Sequence, residues 1–476
     1  MTDFHRLLVA LALCALALAM VTQRGTGAAA LVAAHRPAGE APHSPALRAE
    51  APHSLALARA TASLRSLGPG AAHATPSPVP RPTARPLVAV PPIYYQDGAT
   101  IYAVNADGSN RTVVATLPAG ATFQPQLLPD GRLLYPASPG SVAVVDRYGR
   151  HDGLQTPDLK PGEVVWSVVP SPDGRTLAWQ IFAPAQLGDY TTNAGTSRIA
   201  LTGRFGGAAL TVFSGQASGA NGRVPVLLGW RRSSPYSLGG PTLLLQDLYS
   251  HGDGKAGVLP NTTRGLLEYD PAIGDLVNDY LPPLEGDIPP GRTFNVSADG
   301  VWAVYGDANV VTPSGEGPLA RALDALNLNT NVVVPIDDAR TYPSTTPFVT
   351  TEQRKVGKRT VRRTVTTTLR LYQYFGHHAY MTPGDDRVLY TLLTVSYPPG
   401  ALVPRVQRSV LVATLGAGST RASGHTLVAR DAEAAGWLSD HVAVIKRADG
   451  LYAVDVVRGG SYELAMGAGA QLIGTR

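Results

Sequence analysis

One short pattern recurs along the chain and restricts its fold more than any other feature: a tight turn followed at once by an apolar strand with an aromatic near its end. It reads LPDGRLLYP from Leu128, PSPDGRTLAWQ from Pro170, VSADGVWAVYG from Val296 and MTPGDDRVLYT from Met381. In such a turn Asp bonds its own backbone and Gly takes positive φ, so each copy predicts two antiparallel strands joined by a tight hairpin. Gly229-Trp230 and the segment from Gly436 to Asp440 keep the strand that precedes the turn. The turns are separated by about 43, 61, 65, 87 and 54 residues, none below the roughly 40 that one four-stranded propeller blade needs. The excess predicts insertions between strands at about 184–208, 251–265 and 338–368.

The two ends of the repeat region match each other. Asp97-Gly98 aligns with Asp449-Gly450, and Tyr102-Ala103-Val104 with Tyr452-Ala453-Val454. Both read as the outer three strands of a blade, yet only the second copy has an inner strand before it, at Ala435 to Leu438. The missing strand is expected from Gln471 to Gly474, whose pairing with the first hairpin would close a ring and hide its free strand edges. The fold class is therefore all-β, a β-propeller of seven four-stranded blades; six or eight stay open because the third and fourth repeats are degenerate.

The turn Ser171 to Arg175 with its aromatic strand, and the run from Ile101 through Asn105-Ala106-Asp107-Gly108-Ser109-Asn110, resemble the WD40-like repeats of TolB-type periplasmic propellers and of the propeller domains attached to prolyl oligopeptidases. The resemblance covers about residues 91 to 474 and implies a bacterial, extracytoplasmic propeller. Neither a folded domain before the propeller nor a hydrolase domain after it is expected, so the resemblance bears on fold rather than on activity.

Composition agrees. The 50 glycines and 40 prolines in 476 residues argue against a helical bundle, while the 44% hydrophobic fraction suffices for a buried core. The single cysteine, Cys14, excludes a disulfide framework and any multi-thiolate zinc site. A formal charge of +5 is too mild to announce nucleic acid. Residues 7–21 are an unbroken apolar run, short for a spanning helix and of the length of a secretory h-region. The domain reading is a signal peptide or signal anchor over 1–34, a disordered Pro/Ala-rich linker over 35–90, and the propeller over 91–476.

Few residues invite chemistry. No GxSxG elbow occurs, and Gly215 to Gly219 carries its serine one place late. His377 and His378 are adjacent, so on a regular strand they point to opposite faces and cannot share a metal. The Asn105 to Asn110 run lacks the third acidic ligand and the downstream bidentate Glu of a calcium loop and reads as a turn. All five tryptophans fall in the first or second strand of a blade, where packing between blades explains them. No catalytic residue, metal site or cofactor is expected.

The remaining feature is a concentration of positive charge. Arg354, Lys355, Lys358, Arg359, Arg362 and Arg363, with Arg370 beyond them, are interleaved with threonines around Gly357. They read as a projecting two-stranded hairpin, a basic arm for an acidic partner: a phospholipid surface, an anionic envelope polymer or an acidic protein. Aromatic interleaving is absent, so nucleic acid is not expected. The functional expectation is a non-catalytic binding or scaffold propeller of the cell envelope, secreted or held by one N-terminal helix. The alternatives are a carbohydrate-active lyase or hydrolase with a site in the channel, and a sensor ectodomain acting through a partner.

Overall fold

The computed structural model describes residues 93–474, except 185–194, 218–222, 250–262, 281–291, 308–318 and isolated positions at 120, 122, 129, 139–140, 155, 400, 402 and 417. The expected signal segment and linker, 1–34 and 35–90, lie outside the described residues. Among the described residues no helix is long and apolar enough to cross a membrane.

The strands form seven antiparallel sheets in chain order, so the expected blade count stands. Each repeated turn joins the first and second strands of a blade, and the three headed by Ser171, Ser297 and Thr382 close by the same side-chain bonds. In the third blade Ser171 Oγ donates to Asp173 Oδ1 at 2.6 Å and accepts from the Thr176 amide. In the fifth, Ser297, Asp299 and Trp302 repeat this with a 2.7 Å hydroxyl–carboxylate bond. Gly174 and Gly300 hold the left-handed position, at φ 65° and 74°.

Ring closure is visible in two ways. Gln471–Gly474 pairs antiparallel with Ile93–Asp97, Leu472 lying opposite Tyr95 and Gly474 opposite Tyr94, and so supplies the inner strand of the first blade. The buried apolar residues, moreover, form at least one cluster between every pair of neighbouring blades, including the last pair. Ile93, Tyr95 and Val104 of the first blade pack with Leu438, Val444 and Leu451 of the seventh. Tyr94, Ile101 and Val114 pack with Leu133, Tyr135 and Val145 of the second. A sheet buried on both faces needs apolar residues at successive positions, which is why these strands read as near-continuous apolar runs rather than strict alternations.

The five tryptophans stand where expected, in the first strands Val164–Pro170, Arg223–Arg231 and Glu433–Trp437 and the second strands Thr176–Pro184 and Trp302–Asp307. Two of them tie blades together. Trp230 Nε1 donates to the Val169 carbonyl at 2.9 Å and Trp437 Nε1 to the Tyr380 carbonyl at 2.8 Å.

Two local expectations are corrected. Much of 184–208 is not a loop between strands: Gly195–Gly203 and Gly206–Ala217 are a long outer hairpin of the third blade, because the ladder continues through the small residues beyond its usual length. His377 and His378 do not sit on a regular strand. The register of the sixth blade's inner strand jumps from Phe375 opposite Leu392 to Ala379 opposite Tyr390, so Gly376, His377 and His378 form a bulge.

Candidate functional site

The strand that carries this bulge, Arg359–Met381, is 23 residues long and does two jobs. Its second half, from Leu371, pairs with Arg387–Ser396 and is the inner strand of the sixth blade. Its first half pairs with Thr345–Val356 alone, from Val356 opposite Arg359 down to Thr345 opposite Arg370. Over these twelve pairs the ribbon is two-stranded, and neither outer edge has a strand partner among the described residues. At about 3.3 Å per residue the arm reaches roughly 40 Å. Gly357 turns its tip at φ 64°.

Directly opposed residues in an antiparallel ladder share a face. One face carries Arg354, Arg359 and Arg363 with Val356, Val361 and the single carboxylate, Glu352, which lies opposite Arg363. Towards the disc this face becomes half-buried at Phe348 and Val365 and buried at Leu369. The other face carries Lys355, Arg362 and Arg370 and no acid; Lys358 stands at the tip. All six of the sequence-predicted residues, Arg354, Lys355, Lys358, Arg359, Arg362 and Arg363, are exposed. The structure thus brings them onto one arm but on both of its sides. With seven basic side chains against one acidic one, the arm carries +6, more than the +5 of the whole chain.

The root of the arm is held firmly. Leu371 N donates to the Ser344 carbonyl at 2.8 Å, and Gln373 Nε2 to the Pro343 carbonyl at 2.6 Å. The 3-10 turn Ala339–Thr341 is capped by Asp338, which also takes the Arg340 guanidinium at 2.7 Å. Tyr342 Oη and Tyr390 Oη both donate to Asp337 Oδ2, at 2.6 and 2.7 Å, and His425 Nδ1 lies 2.9 Å from Tyr390 Oη. Burial together with the Asp337 carboxylate pushes both phenols well above their ordinary range. They stay neutral donors that pin the strand entering the arm.

Two polar clusters elsewhere are bonded within the fold. Arg231, wholly buried in the fourth blade, donates to Glu268 at 2.9 Å and to Tyr280 Oη at 2.8 Å, and also meets Asn329 of the fifth blade. Thr242 Oγ1 donates to the same Glu268. This network escaped sequence reasoning; an arginine directly after Trp230, at the end of an apolar strand, was its only signal. Asp107 accepts from the Ser109 amide and hydroxyl at 2.9 and 2.6 Å, as a turn aspartate does. Among the described residues no group of three His, Cys, Asp or Glu is placed to hold a metal ion, and His151, His378 and His441 stand on three separate blades.

No family model and no curated protein matches the chain. Among solved structures it is similar to a TolB-type protein from Agrobacterium tumefaciens, at 14% identity over 72% of this chain and 90% of that one, with a TM-score of 0.35. It is similar to an oligogalacturonate lyase from Vibrio parahaemolyticus, at 11% over 66% and 90%, TM-score 0.29, and to AztD from Citrobacter koseri, at 10% over 81% and 96%, TM-score 0.33. At such identities the likeness concerns architecture alone, and what each neighbour binds or cleaves stays with that neighbour. The chain's own strand order and its unbroken ring of inter-blade cores make it a seven-bladed β-propeller closed by its C-terminal strand.

Proposed function

We propose that this chain is a non-catalytic binding or scaffold propeller of the bacterial cell envelope, acting outside the cytoplasm, and that its basic arm holds an anionic envelope component or an acidic protein. The arm carries the reading: a roughly 40 Å ribbon with +6 of charge, exposed along its distal half and anchored at its root. Near an anionic membrane each basic residue contributes about 1 kcal/mol, and the sum is screened by salt. Export is supported by the apolar run at 7–21 and the Pro/Ala-rich stretch that follows it. The first of these either directs secretion or anchors the chain by one helix.

The test is capture in the native host. Crosslinking the full chain and its variant with Arg354, Lys355, Lys358, Arg359, Arg362 and Arg363 all changed to Gln should give salt-sensitive recovery of envelope material with the first and little with the second. Equal recovery would overturn the role of the arm, and recovery of cytoplasmic components alone would overturn the location.

A further inference from the structure

Where the arm meets the disc, a cavity of about 450 Å³ opens between the fifth and sixth blades. Three arginines from separate elements converge on it: Arg321 just before the strand Ala322–Asn327, Arg340 from the 3-10 turn, and Arg370 at the foot of the arm. Ser344, Thr345 and Gln373 add polar groups, and Tyr372 and Tyr374 add ring surface, while no carboxylate is among the described lining residues. We propose that this cavity is a binding site for a phosphate-bearing ligand with a flat or apolar body, distinct from the diffuse charge of the arm.

The chemistry favours that class. A carboxylate is satisfied by one guanidinium fork, whereas the guanidiniums of Arg321 and Arg370, with the Nη1 that Asp338 leaves on Arg340, surround the site with donors enough for the several oxygens of a phosphate. Arg340 is oriented by Asp338, which grips its Nε and Nη2. Arg321 lies over the Tyr374 ring at 6.0 Å, and its carbonyl accepts from the Ala339 amide, so the floor is tied to the turn that presents Arg340. Arg370, Tyr372 and Tyr374 alternate onto one side of a single strand. Tyr372 is packed edge-on against Tyr397, with centroids 6.1 Å apart, and still exposes ring surface. The volume exceeds what a bare phosphate fills, which leaves room for a body stacked on that ring.

The class has two sources, a soluble phosphate ester and a phospholipid headgroup. Calorimetric titration of the full chain with phenyl phosphate and with inorganic phosphate, beside binding to vesicles of phosphatidylglycerol or phosphatidylcholine, separates them. Saturable binding of phenyl phosphate, tighter than that of inorganic phosphate, assigns a soluble ester. Binding of phosphatidylglycerol vesicles that depends on Arg321 without binding of phenyl phosphate assigns the headgroup. In either case Arg321→Gln and Arg370→Gln should each weaken binding about tenfold, as loss of one charge-assisted hydrogen bond does. Arg370→Lys should recover part of it, and every variant should keep its melting temperature. The site is overturned if neither probe binds with dependence on Arg321 and Arg370, or if the folded Gln variants bind as well as the native chain. Neutralising Arg354, Lys355, Lys358, Arg359, Arg362 and Arg363 should leave phenyl phosphate binding unchanged, so failure of the cavity and failure of the arm are told apart.

Discussion

Leu472 lies opposite Tyr95, and its Cδ2 comes so close to Gly436 that a Cβ there would stand only 2.9 Å from it. Three stretches far apart in the chain thus meet at the seam between the first and last blades. Gly436 itself has φ 144°, which few side chains tolerate. Removing residues 471–476 should expose the edge of Ile93–Asp97 and lower stability by about 3–5 kcal/mol through lost ladder bonds and apolar contact. Leu472→Ala should cost about 1–2 kcal/mol, less than a fully buried leucine, and Gly436→Ala should be destabilising as well. Urea titration with circular dichroism measures all three; a truncated chain as stable as the native one would show that the seam does not close the ring.

Asp385 sits at φ 57° in the first turn of the sixth blade, the left-handed position held by Gly174 and Gly300 in the equivalent turns. The order Gly384-Asp385 inverts the usual Asp-Gly, and the carboxyl is thereby half-buried and hydrogen-bonded to Asp299 of the neighbouring turn. Burial first, then the charges of Asp299, Asp386 and Asp440, push its pKa from 3.8 up to about 7. The folded chain therefore holds a proton that the unfolded chain releases above pH 3.8. This stabilisation is complete below that pH and is lost as pH rises through about 7. Asp385→Gly should flatten the fall in melting temperature between pH 5 and 8 seen in the native chain and raise stability at the alkaline end; parallel slopes for the two proteins would contradict the pairing with Asp299.

Arg231 and Glu268 are both wholly buried, and each leaves a stranded charge when the other is removed. Arg231→Ala or Glu268→Ala should cost about 3–5 kcal/mol, while replacing both by apolar residues of similar volume should cost far less. Chemical denaturation of the two single variants and the double variant measures the coupling.

The closing strand was readable because the terminal blade repeats the Asp-Gly turn and the Tyr-Ala-Val strand of the first, so a missing inner strand could be identified and sought. The arm was readable because its threonines and arginines bracket Gly357 with strand-forming residues. What could not be read depends on register and on turns that break the rule. The bulge at Gly376 to His378 leaves no mark in residue type. The inverted Gly384-Asp385 resembles any turn until its backbone angle is known. Arg321 and Arg340 are separated in sequence from Arg370 and join it only because the fifth and sixth blades lie side by side.

The most direct measurement is sedimentation of the full chain with phosphatidylglycerol vesicles over rising salt, beside the variant in which Arg354, Lys355, Lys358, Arg359, Arg362 and Arg363 are Gln. The native chain should bind at about 50 mM salt and release by about 500 mM, as screening shortens the reach of its charge. The variant should bind at least about tenfold more weakly at low salt and show little salt dependence. Equal binding by both proteins, or binding indifferent to salt, would contradict a basic arm that docks the propeller on an anionic surface.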